Sequence, residues 1–347
     1  MKTLYLIISM ILMVSSCADS EMQKQLKNIE PLIMQDPKVA QLTLDSIHEA
    51  EPLALQAPAE MAQYLLLDTY CKYRTNEKIP NDSLISIAED YFLQHGTHHE
   101  KMLSLFLHGY VLRKNKQQSE SILKYKAALD EGVECNDHFM LGQIYTGLVF
   151  LCGEIMDDDQ IDFSEKALEH YMIVGREPYI LDSEINIGMA KLNYNTFTEE
   201  ALEILQKAKD RAIIYNDTLI LAKCYKLLAE AEMKMGKFDS AYYYYQHTIQ
   251  DLHSQLGCRN CDLMAYVCAS LGMRDSALAY LDRAERMAKS KVASRIHWNF
   301  AAHVYNQLGD SGKANTYYSK QVHDLKSNFK EKLSNTVAKE QRDYVEQ

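Results

Sequence analysis

The chain has 347 residues, 48 of them acidic against 37 Lys and Arg, for a formal charge of −11. That balance gives no electrostatic support to a nucleic-acid role, which needs clustered Lys and Arg, and it disfavours adsorption to anionic lipid heads. With only 13 Gly and 6 Pro, many β-turns are excluded and many short helix–helix connections are expected, in a chain too long for one compact core.

The first 16 residues read as an export signal. Lys2 supplies a positive start, Leu4 to Val14 is apolar except for Ser9, and Val14-Ser15-Ser16-Cys17 follows. The apolar run is too short for a confident membrane span. A Cys directly after small residues resembles a bacterial lipobox, which implies cleavage before Cys17 and lipid attachment to its thiol. The alternative is an ordinary signal peptide with an incidental Cys. Residues 17–36 then hold the lipidated Cys, a polar tether and the start of the first helix. No apolar run of 18 residues follows, so the remainder is expected to be soluble and to face a compartment outside the cytoplasm.

Residues 37–135 read as divergent helical hairpins. Val39 to Ile47 and Ser83 to Phe92 are apolar at helical spacing, and residues 21–95 are expected to hold two hairpins. His95-Gly96-Thr97-His98-His99-Glu100 is the densest group of metal-ligand types. It reads as a polar connection with a helix starting at Thr97, because no converging partners are evident. Gly109, Ser121, Tyr125 and Ala128 then begin a spacing that recurs.

Residues 136–321 carry the repeat. Gly147, Ala167 and Tyr171 form a copy with an enlarged loop at Asp157-Asp158-Asp159-Gln160. That loop lacks the Gly of a calcium site and has Leu168 where a bidentate Glu is needed. Gly188, Ala201, Leu205 and Ala208 form another copy. Three clear copies follow: Tyr225, Leu228, Ala229, Gly236, Phe238, Ala241, Tyr245; then Cys261, Met264, Ala265, Gly272, Ala277, Leu281, Ala284; then Trp298, Ala301, Ala302, Gly309, Ala314, Tyr318. Ala241, Ala277 and Ala314 recur after 36 and then 37 residues. Each Gly is expected to end the first helix of its pair in a left-handed conformation. Tyr125, Tyr171, Tyr245 and Tyr318 are assigned one packing position on second helices.

These residues resemble the tetratricopeptide (TPR) family, whose repeat is a 34-residue helix–turn–helix. The resemblance implies an all-α fold, a solenoid of about eight antiparallel hairpins forming a TPR-like superhelix. It also implies a concave groove, lined by first helices, that receives a peptide or another protein. Carried over by position, the groove residues are Leu103, Phe106, Tyr110 and Arg113; Lys223, Lys226, Glu230 and Met233; Arg259, Asp262, Tyr266 and Ala269; and Ile296, Asn299, His303 and Asn306. In the family's peptide-carboxylate clamp Lys226 has a counterpart, but Glu230 stands where an Asn belongs.

The last segment, 322–347, keeps one apolar stripe through Val322, Leu325, Phe329, Leu333 and Val337, expected as a long helix that covers the final repeat and then projects. Cys258-Arg259-Asn260-Cys261 is a CxxC read as packed thiols, with a disulfide between Cys258 and Cys261 or a metal or redox role as alternatives. There is no GxSxG, phosphate loop or dinucleotide fingerprint, so no catalytic residue, cofactor or metal is assigned. The chain therefore reads as a non-enzymatic, membrane-anchored interaction module, a scaffold or adaptor, with its lipid at Cys17 and a periplasmic or cell-surface location. The alternative is the periplasmic sensory portion of a membrane-bound signalling or transcriptional regulator.

Overall fold

The computed structural model describes residues 20–50, 57–155, 159–193, 197–250 and 256–327. The export signal, Cys17, Asp157, Asp158, Phe329, Leu333 and Val337 lie outside them. Among the described residues every regular element is helical. Three short helices come first: α1 (Glu21–Lys27), α2 (Ile29–Gln35) and α3 (Pro37–Ala50). Hairpins follow: α4 (Pro58–Thr75) with α5 (Ser83–His95), α6 (His98–Lys114) with α7 (Gln118–Glu134), and α8 (His138–Ile155) with α9 (Gln160–Val174). Next come α10 (Glu177–Asn193) with α11 (Thr198–Ile214), α12 (Thr218–Lys234) with α13 (Phe238–Gln250), and α14 (Cys258–Ser270) with α15 (Arg274–Met287). Last is α16 (Lys291–Gln307) with α17, helical from 311 to 327. The chain divides into two compact units, Met1–Ser183 and Glu184–Gln347. That division rests on packing, whereas the one at residue 136 rests on regularity of sequence.

The hairpins form because each turn closes locally. Gly236, Gly272 and Gly309 have φ of 74°, 75° and 77°. After each, the next amide reaches back five residues, as in Lys237 N to Glu232 O and Met273 N to Cys268 O, which satisfies a helix-end carbonyl. The same closure recurs without glycine at Asn76, Lys116, Asn136 and Asn216, all at positive φ. Two of these, Asn136 and Asn216, end second helices, so the repeat is punctuated at both ends.

Small residues then let paired helices meet. Ala229, Ala265 and Ala302 are fully buried, as are Ala241, Ala277 and Tyr245. Upstream the contact is closer still: a Cβ on Gly109 would lie 3.0 Å from the Tyr125 ring, and one on Gly147 would lie 2.8 Å from it. Tyr125 is thus clasped between α6 and α8. Full burial of a side chain of that size contributes on the order of 1.5–3 kcal/mol. Tyr171 is buried against Gly142 of α8. In the last hairpin Tyr317 is the buried ring, and Tyr318, the expected one, is half-buried.

At the two ends of the chain one expectation is met and one is corrected. Residues 21–95 pack as the two expected helix pairs, α2 with α3 and α4 with α5, with α1 leading into α2 through Asn28, itself in right-handed helical geometry. Pro37 lacks an amide donor and pushes Asp36 out of helical geometry, to φ −144°, and the Asp36 carboxylate then accepts from the amides of Lys38 and Val39 to start α3. At the other end, Val322 and Leu325 do not cover the final repeat, being 50% and 59% exposed. The face of α17 turned to α16 carries Asp324, which is buried and accepts from Arg295 Nε at 2.7 Å.

Candidate functional site

The first unit contains a pocket of about 310 Å³ assembled from successive first helices. The last turn of α4 supplies Tyr73 and Arg74, and Asn76 ends that helix at a left-handed φ of 56°. Helix α6 supplies Phe106, Tyr110, Arg113 and Lys114, a set spaced to share one helix face. Helix α8 supplies Gln143, Thr146, Gly147 and Phe150 in the same manner. Tyr125 of α7 and Tyr179 of α10 complete the lining.

Tyr73 organises the interior. Its ring meets Phe106 edge-on at 5.2 Å and Tyr110 at 4.8 Å between centroids. Its hydroxyl donates to Gln143 Oε1 at 2.7 Å, and Gln143 Nε2 reaches the Tyr171 hydroxyl at 2.7 Å. Burial pushes the Tyr73 phenol well above its ordinary value and raises that of Tyr110, so both stay protonated at neutral pH. The Arg113 guanidinium lies 5.8 Å from the Tyr110 ring centre and 5.5 Å from that of Phe150, and Lys114 Nζ lies 5.3 Å from Tyr110. Arg74 Nη1 donates to the Met34 thioether at 3.5 Å. Among the described lining residues there is no Asp, Glu, His or Cys. The arrangement is suited to holding a flat apolar group beside positive charge.

Phe106, Tyr110 and Arg113 therefore do share a site, but not as exposed side chains: they are 1%, 7% and 8% exposed. Leu103 is buried in the core behind them, because α6 is covered by α5, α7 and α8 around most of its circumference. The remaining groove candidates belong to the second unit. Lys223 is exposed, while Lys226 and Met233 are half-buried, and burial lowers the Lys226 pKa. Glu230 is buried and accepts from Arg259 Nη2 at 2.5 Å, so a cation on the next first helix offsets its charge. Asp262 is fully enclosed, its Oδ1 2.7 Å from His297 Nδ1, and is withdrawn from any groove, as is Ala269. Tyr266 is half-buried, edge-on to Phe238 at 5.9 Å. Ile296, Asn299, His303 and Asn306 are exposed, with Asn299 accepting from Gln321.

Cys258 and Cys261 are free thiols rather than a disulfide. The first donates to Ala284 O and the second to Leu256 O, and burial raises both pKa values, leaving neither activated. His98 and His99 face different carboxylates, Glu131 and Glu30, each at 2.6 Å. Among the described residues no group of three or more His, Cys, Asp or Glu is placed to hold a metal.

Tyr73, Arg74, Gln143 and Tyr179 are site residues that the repeat pattern does not single out. Helix α4 carries little of the repeat signature, and its end is marked by Asn76 where the clear repeats have a glycine. Admitting Asn at that left-handed position would have set the register of α4.

Helix pairs closed by recurring left-handed turns, with small residues at the crossings, define an α-solenoid of the TPR-like class. No family model matches the sequence, and no curated protein matches it. Solved structures do share the fold. A Rap protein complexed with Competence and Sporulation Factor aligns with a TM-score of 0.66 at 14% identity, covering 89% of this chain and 99% of that one. NprR in complex with its cognate peptide NprX gives 0.62 at 16%, covering 87% and 88%. Aspartyl phosphate phosphatase F from Bacillus subtilis gives 0.61 at 17%, covering 92% and 88%. At these identities the likeness is one of fold.

Proposed function

We propose that the chain is a non-enzymatic binding module that receives a peptide or an extended protein segment at the pocket of its first unit, held outside the cytoplasm by a lipid on Cys17. The observation that carries the reading is the pocket itself, where three successive first helices bring aromatic rings, two Arg and a Lys to one opening. Such groups are typical interface anchors. Its described lining has no acid–base pair or thiol for chemistry. NprR and the Rap protein, which share the fold, were captured with a peptide and with a factor respectively.

The test is capture of partners after mild crosslinking, using three altered chains. One carries Tyr110→Ala with Phe150→Ala, one carries Lys223→Ala with Asn299→Ala and Asn306→Ala, and one stops after Ser327. Loss of partner with the first alone is expected. Loss only with the truncation would place the functional element in the C-terminal segment and overturn the reading.

A further inference from the structure

We infer that this pocket selects a peptide bearing a carboxylate next to an aromatic side chain, with Arg74 as the counter-charge of the carboxylate. The inference rests on the binding reading above and names its ligand chemistry.

Arg74 carries the argument. It is half-buried at the pocket, and the hydrogen bond it makes is to the Met34 thioether at 3.5 Å. Sulfur is a weak acceptor, whereas a guanidinium offers five N–H donors in a planar fork suited to a carboxylate. No carboxylate among the described residues pairs with it. Arg113 is placed differently, with Tyr110 and Phe150 rings around it, so it holds the wall and adds positive potential from behind.

The charge contrast points the same way. The chain carries −11 overall, yet the charged groups among the described lining residues are Arg74, Arg113 and Lys114. In a partly enclosed site such charges are screened less than on open surface. The walls are Tyr73, Phe106, Tyr110, Phe150 and Tyr179, and the hydroxyl of Tyr73 is already committed to Gln143. A volume near 310 Å³ is at the small end for ligand sites and accommodates one aromatic side chain with its neighbouring charged group.

The carboxylate can be a chain terminus or an acidic side chain, and titration calorimetry on the mature chain at low salt distinguishes them. Four probes suffice: N-acetyl-trialanyl-phenylalanine with a free terminal carboxylate, the same peptide amidated, an amidated peptide with glutamate before phenylalanine, and its glutamine counterpart. Binding of at least one carboxylate probe is expected, with affinity about tenfold weaker for its uncharged twin. Arg74→Gln should remove that difference, Arg74→Lys should restore part of it, and added salt should shrink it. Whichever carboxylate probe binds identifies the source. Equal binding of charged and uncharged probes, abolished by Tyr110→Ala, would leave the pocket as the binding site and overturn the carboxylate inference. No saturable binding of any probe at millimolar concentration would also overturn it, while leaving partner capture as the separate test of the broader reading. Should Arg74→Gln fail to fold, the comparison of probes on the unaltered chain decides.

Discussion

At the scale of single residues, histidines in the first unit respond to pH in opposite directions. His138 and His170 face each other through Nδ1 atoms 2.9 Å apart, so one ring donates and the other must stay unprotonated there. Burial, with the His138 charge second, lowers the His170 pKa. Below about pH 6.5 the unfolded chain then binds more protons than the folded one, and stability falls as the pH drops. His99 is the reverse: its bond to Glu30 raises its pKa, giving a contribution fully present below about pH 6.5 and lost as the pH climbs through the raised folded value. Thermal melts at pH 5.5 and pH 8 should show His170→Asn losing less on acidification than the parent. His99→Asn should cost more at pH 5.5 than at pH 8. Identical pH dependence in all three chains would refute the assignment.

A second residue-scale outcome concerns Gly147. The added methyl of Gly147→Ala would press on the Tyr125 ring, which Gly109 blocks from the other side. Overpacking of this kind costs about 1–3 kcal/mol. The same change should also disturb the pocket, since both residues line it. Denaturant unfolding checks the stability, and a variant as stable as the parent would mean the ring has room to move.

At the scale of the element, the turn between paired helices is the repeated device. Gly272 has φ of 75° and open space around its missing Cβ, so a side chain there meets strain and no clash. Left-handed backbone costs an ordinary residue about 1–2 kcal/mol, and the reduced freedom of the unfolded chain offsets part of it. Gly272→Ala should therefore destabilise by about 1 kcal/mol, less than Gly147→Ala, with Gly272→Asn milder than either. If Gly272→Ala proves the costlier of the two alanine variants, conformational strain and not crowding dominates these hairpins. Asn76, Asn136 and Asn216 already use the milder residue at equivalent closures, which is why the glycine signature is plainest in the three C-terminal copies.

At the scale of the whole molecule, the net charge and the proposed lipid act together. An acidic chain has little electrostatic affinity for anionic bilayers, so attachment through Cys17 would be covalent in origin. Cys17→Ser offers no thiol to acylate and should release the protein from membranes. Metabolic labelling with a fatty-acid analogue reads this directly, and equal labelling of parent and variant would remove the anchor from the proposal. The two compact units also divide the expected groove residues between them: Leu103, Phe106, Tyr110 and Arg113 are buried in the first, whereas those of the second range from enclosed Asp262 to exposed Lys223 and His303.

The TPR-like hairpin was legible because its determinants are local. Ala241, Ala277 and Ala314 recur at a steady period, and helix, turn and returning helix are specified within some three dozen residues by spacing and by left-handed closures. Burial of Ala265 and Ala302 follows from that pattern alone. Exposure of the groove positions does not, because it depends on how many neighbouring helices crowd each first helix. Asp262 looked like a groove acid until His297, 35 residues on, enclosed it. The pocket needed more: Tyr73 meets Gln143 across 70 residues, and Arg74 sits on a helix with little repeat signature. Local periodicity determines which faces are apolar, whereas only the stacking of one hairpin on the next decides which side chains from α4, α6 and α8 surround a common space.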